Sequence, residues 1–121
     1  MGINERILLD TSILIEILDR GSLLNLIERK ELYISIISIY EYTRYKRDKK
    51  FFKEKLKESF TVLRFDNKAL LKAAEIFETL KKEDKFVSEN YVYIAATAIA
   101  NNLELWTKDT DFEKSKTSSL S

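Results

Sequence analysis

The 121-residue chain contains no histidine and no cysteine. That removes imidazole acid–base chemistry, serine–histidine triads, thiol nucleophiles, disulfides and the usual zinc ligand sets. An enzyme built from this sequence has to work with carboxylates, lysines, tyrosines or a metal ion. Proline is absent too, and glycine occurs only twice. So few turn formers argue against a many-stranded β sandwich and favour helices joined by short loops. Charge of one sign is also missing: 21 basic against 20 acidic residues leave a formal charge of +1, which excludes a uniformly basic nucleic-acid coat or a long acidic tail. The longest nearly apolar run, residues 91–100, falls well short of the roughly 18 residues a membrane span requires, and charges follow the N-terminus closely. A soluble, cytoplasmic protein making no membrane contact is expected.

What is present suits one compact domain over residues 1–121, since 45% of the residues are hydrophobic and a domain takes on the order of 100 to 150 residues. Residues 6–10, Arg-Ile-Leu-Leu-Asp, form a short apolar run ending in an acid and read as a buried first strand. Thr11 and Ser12 can cap a helix over residues 13–20, Gly21 supplies a left-handed stop, and a second helix is expected over about residues 22–30. Residues 32–37 read as the second strand. Ser38 and Glu41 then have the spacing of a capping box, opening a helix that runs to about Ser59 with a break near Asp48. A third strand at residues 61–65 leads through a cap at Asp66 to an amphipathic helix over 67–83, with Ala69, Leu70, Ala73, Ala74, Phe77 and Leu80 on one face. Ser88 caps a last, nearly all-apolar helix that stops at Asn101 and Asn102, and residues 103–106 form the fourth strand. Alternating strands and helices imply a parallel sheet covered on both faces, with any ligand beyond the carboxyl ends of the strands.

Four acids fall at that edge: Asp10 after the first strand, Glu41 in the helix after the second, and Asp109 and Asp111 after the fourth. Each has an ordinary reading as a cap or loop residue. Converging, they would destabilise the fold unless a cation or protons neutralised them: two carboxylates about 4 Å apart repel by roughly 4 kcal/mol at an effective dielectric near 20. A hard divalent cation such as magnesium or manganese answers that repulsion, and its bound water would serve as nucleophile in hydrolysing a phosphodiester. Between residues 44 and 58, eight basic residues face three acids, a net +5 suited either to RNA phosphates or to a solvated helix face. Tyr40, Tyr42 and Tyr45 in the same region read chiefly as core or dimer packing, with base stacking as the lesser alternative. Trp106 reads as core.

The segments Leu8-Leu-Asp-Thr-Ser-Ile13, Ile36-Ile-Ser-Ile-Tyr-Glu41, Ile94-Ala-Ala-Thr-Ala98 and Leu105-Trp-Thr-Lys-Asp-Thr-Asp-Phe112 resemble, in order, the four signature segments of PIN domains. They are most similar to single-domain toxins of the VapC type, over residues 7–113. The resemblance implies a three-layer α/β/α sandwich around a mostly parallel sheet of four to five strands. It also implies a magnesium- or manganese-dependent endoribonuclease acting on RNA, a homodimer, and inhibition by a small antitoxin protein. Asp10, Glu41 and Asp109 match the family's catalytic, metal-binding acids, Asp111 matches an assisting acid, and Ser12 and Thr107 match hydroxyls lining the pocket. The chain departs from the pattern at Tyr91, where the family usually carries an acid, and a phenol is a poor magnesium ligand. Glu89 or Asn90 could substitute through a small shift of the helix start. A second departure is residues 114–121, expected as a weakly ordered tail in place of a further strand. The alternative function implied is a PIN-fold RNA- or protein-binding module with impaired chemistry. A phosphate-accepting receiver domain fits less well, because the first strand lacks a preceding acidic pair.

Overall fold

The computed structural model describes residues 5–108. Four strands, β1 (Arg6–Leu9), β2 (Glu31–Ser35), β3 (Thr61–Leu63) and β4 (Glu104–Trp106), form one sheet in the order β3-β2-β1-β4, with every pairing parallel. The helices are α1 (Thr11–Leu18), α2 (Leu24–Ile27), α3 (Ile36–Thr43), α4 (Lys49–Ser59), α5 (Asn67–Lys82) and α6 (Glu89–Ala100). A three-layer α/β/α sandwich with four strands among the described residues matches the expectation.

The core divides along the pleat of β1. Alternate side chains of a strand leave opposite faces, so Leu8 joins one cluster with Ala73, Ile76 and Leu80 of α5 and most of α6, while Ile7 and Leu9 join another with Ile13, Leu14 and Ile17 of α1, Ile39 and Tyr42 of α3 and Leu56 of α4. Burial on both faces explains why β1 is an unbroken apolar run. Strand order reverses at β1: the chain moves outward through β2 and β3 and then returns to place β4 on the other side. The crevice at the carboxyl ends of β1 and β4 is therefore the switch point at which ligands of open parallel sheets bind.

Several elements differ from the sequence reading. Asp10, rather than Thr11 or Ser12, caps α1, accepting from the Thr11 backbone N–H. Ser35, not Ser38, caps α3, its hydroxyl accepting from Ile37 N–H at 3.0 Å. The helix thus starts two residues before Ser38, which is itself buried, and no Ser38–Glu41 capping box forms. The second helix is a single turn between left-handed Leu23 and Arg29. On α5 the buried stripe is Ala69, Ala73, Ile76 and Leu80, leaving Leu70 and Phe77 exposed. Asp66 and Ser88 cap α5 and α6 as read, and the break expected near Asp48 is a full interruption, Asp48 capping a separate helix, α4. Left-handed Gly21 follows α1, and Asn102, also left-handed, follows α6. No helix among the described residues is long and apolar enough to cross a membrane.

Candidate active site

Asp10 follows the last residue of β1, at the switch point, and is only 7% exposed. Its backbone N–H donates to the Trp106 carbonyl at 2.9 Å, continuing the β1–β4 pairing past both strand ends. Three donors converge on its carboxylate: Thr11 N–H on Oδ1 at 2.8 Å, and the hydroxyls of Thr107 and Ser12 on Oδ2 at 2.6 and 3.1 Å. Ser12 in turn accepts from Lys108 N–H at 3.0 Å. Burial raises the Asp10 carboxyl above the usual carboxylate range against the opposing pull of these three hydrogen bonds, and the charge of Glu41 pushes the same way as burial.

Glu41 lies in the second turn of α3. Thr11 Oγ1 donates to its Oε1 at 2.6 Å, and the Asn90 side-chain amide donates to its Oε2 at 3.1 Å. The Thr11 and Ser38 hydroxyls lie 3.1 Å apart. Thr11 thus couples the two acids, its backbone holding Asp10 and its side chain holding Glu41. Outside this pair, Glu16 of α1 accepts from Lys108 Nζ at 2.6 Å and Arg20 at 2.7 Å. Those contacts keep the Glu16 carboxyl below its usual range, the Lys108 hydrogen bond contributing most, and they tie the end of β4 to α1.

The described residues therefore bring Asp10, Glu41, Ser12 and Thr107 into one cleft. Asp109 and Asp111 lie outside the described residues, as does the expected tail over residues 114–121. Tyr91 is 3% exposed, within the apolar cluster that Leu8 shares with α5 and α6. Its neighbour Asn90 donates its side-chain amide to Glu41; Thr11, the link between the acids, was missed, and its place directly after Asp10 was the available signal. Tyr42 is core, donating to Asp19, whereas Tyr40 and Tyr45 are exposed. Trp106 is partly buried against the α1 side of the sheet.

As a donor set, two carboxylates on neighbouring elements suit a hard cation. Among the described residues no lysine or arginine forms an ion pair with either acid. Among the described residues alone, no group of three or more acids is arranged to hold a metal.

The family model for the PIN domain matches residues 7–116. Ribonuclease VapC1 of Methanocaldococcus jannaschii is 33% identical over 108 residues, covering 86% of this chain and 76% of that relative. Among solved structures, FitAcB from Neisseria gonorrhoeae matches with a TM-score of 0.74 at 27% identity, over 93% of this chain and 94% of that one. VapBC2 from Rickettsia felis, bound to a DNA fragment from their promoter, also matches with a TM-score of 0.74, over 90% and 92% of the two chains. At 20% identity, that second likeness is one of fold.

Proposed function

The chain belongs to the PIN domain family, and on that premise we propose that it is a metal-dependent endoribonuclease and the toxin of a toxin–antitoxin pair. The observation that carries the reading is the Thr11 bridge, which sets the buried Asp10 beside Glu41 at the switch point of the sheet. Kinship with a relative named as a ribonuclease supports the substrate class. Cytoplasmic location, a small antitoxin partner and a homodimer belong to the same proposal.

Asp10, Glu41 and Asp109 would hold the cation, with Asp111 assisting. Magnesium or manganese, when bound, supplies a water of lowered pKa and positive charge against the phosphate oxygens. Ser12 and Thr107 fix the Asp10 carboxylate, and Asn90 and Thr11 fix that of Glu41, so neither acid has to reorganise as charge develops. Hydrolysis forms one P–O bond to water and breaks one P–O ester bond. Glu41, the more exposed of the two described acids, would be the group nearest to hand for the attacking water's proton, and the leaving oxygen would gain one from solvent.

The test is cleavage of a single-stranded RNA with manganese or magnesium. Asp10→Asn and Glu41→Gln are each expected to lower kcat by about 10²- to 10³-fold. Unchanged cleavage by Asp10→Asn would remove this mechanism. One observation favours a second reading, a PIN-fold binding module with weakened chemistry: the residue holding Glu41 from α6 is a neutral amide. On that reading the native chain cuts poorly and Asn90→Asp strengthens both cation binding and cleavage; efficient native cleavage rules it out.

A further inference from the structure

The carboxyl end of α3 carries an arrangement that the acid cleft does not use. Tyr40 and Tyr45 are 57% and 84% exposed. The guanidinium carbon of Arg44 lies 5.3 Å from the centre of the Tyr40 ring and 5.0 Å from that of Tyr45. Two large rings in water with a cation held against both form a ready stacking surface, since arginine is planar, weakly hydrated, able to lie on an aromatic face and able to bind a phosphate with two donors.

Its position gives it a role. Glu41 follows Tyr40 directly on α3, and Arg44, the C-cap of that helix with helical backbone angles, comes three residues after it, with Tyr45 next in the turn, so Glu41 and Arg44 stand about one helical turn apart. Glu41 is among the charges acting on the Arg44 guanidinium. Beyond the rings the chain continues with Arg47, Lys49 and Lys50 against a single acid, Asp48, while Lys46 pairs with Asp19. A polyanion laid across the acid cleft would therefore meet flat rings, a guanidinium and then further positive charge.

We propose that Tyr40, Arg44 and Tyr45 form a stacking platform that receives the base of an unpaired nucleotide flanking the scissile phosphate, so that the chain selects single-stranded over duplex RNA. The proposal rests on the ribonuclease reading and adds the residues that choose the substrate's form. Bases paired within a duplex keep their faces on each other, whereas an unpaired base is free to stack on an aromatic side chain.

The test is fluorescence anisotropy of a labelled ten-nucleotide single-stranded RNA with the native chain and its variants in EDTA, where no divalent ion supports cleavage. Loss of one stacking ring is expected to weaken binding by about 5- to 150-fold, so Tyr40→Ala and Tyr45→Ala should each do so. Tyr45→Phe keeps the ring and is expected to bind like the native chain, while Arg44→Lys keeps the charge and is expected to lose affinity. Affinity for an RNA duplex of equal length should hardly change in any variant. With manganese, the alanine variants should show a raised KM and a nearly unchanged kcat on the single strand.

Single-strand affinities within twofold of native for both alanine variants overturn the proposal. So does an equal loss for duplex, which would mark a general electrostatic effect. A changed sedimentation coefficient with RNA binding intact also overturns it, assigning the rings to a contact between protein chains. Failure of the ribonuclease reading looks different: the native chain binds the single strand through the rings yet cuts nothing with manganese. Normal cleavage with alanine variants indistinguishable from native removes the platform alone.

Discussion

The two helical layers over the sheet are built from different materials. The α5–α6 side meets β1 through Leu8 and is lined by Ala73, Ile76, Leu80, Ile94, Ala95, Ala96 and Ala98, with short side chains that let the helices lie close. The α1–α3 side also has an apolar floor, of Ile7, Leu9, Leu14 and Ile39, but its upper edge buries polar residues, among them Asp10, Ser35 and Ser38. One layer is arranged for packing, and the other accepts buried polarity to hold carboxylates in place. The boundary runs between two adjacent residues of α6: Tyr91 lies in the apolar cluster, while Asn90 holds Glu41.

Substitution at that boundary gives the largest expected effect. Tyr91→Asp removes a buried ring and puts a carboxylate among apolar side chains, at an expected cost of about 3–5 kcal/mol in unfolding by denaturant. Asn90→Asp, one position earlier, should stay folded and give a larger rise in melting temperature on adding manganese than the native chain does, because a tighter cation stabilises the folded state by mass action. If Tyr91→Asp proved harmless and itself bound the ion, the boundary would be misplaced. Next in size, Leu14→Ala and Ile94→Ala should each cost about 2–5 kcal/mol, and Ile94→Ala should leave cleavage per folded molecule near native. Thr107→Val reverses the pattern: a cost of about 1–3 kcal/mol in stability, with a roughly 10- to 100-fold loss of cation affinity or cleavage, because the Asp10 carboxylate loses a short hydrogen bond. The smallest effect belongs to the exposed face of α4, where Lys53→Ala should change stability by no more than about 0.5 kcal/mol. Should Thr107→Val unfold the chain as readily as Ile94→Ala, the division between the layers would not hold.

The elements legible in the sequence had a local chemical reason to exist. Asp66 and Ser88 each accept a backbone N–H at the start of a helix, and Gly21 and Asn102 each sit at positive φ past a helix end. What misled was decided by packing at a distance. Ile36 and Ile37 are β-branched and read as strand, yet Ser35 caps them into α3, because context outweighs intrinsic strand preference. On α5 the reading put Leu70, Ala74 and Phe77 on the core face and left out Ile76, whereas the approach to α6 takes the stripe Ala69, Ala73, Ile76 and Leu80 and leaves those three exposed. In the cleft, Asp10, Glu41, Ser12 and Thr107 stood out through their motif positions. Thr11 and Asn90 act through hydrogen bonds reaching 30 and 49 residues along the chain, a relation that spacing along one sequence does not display.

The shortest hydrogen bond to Asp10 comes from Thr107, 97 residues further along, and the Asp10 amide completes its own pairing only on Trp106. Synthesis runs from the N-terminus, so a nascent chain carries one edge of β1 bare, its acid served only by the turn that follows, until β4 emerges and docks. A polypeptide released before β4 thus lacks a finished cleft, and the Asp10 carboxylate gains its full set of donors only when two segments 97 residues apart have met.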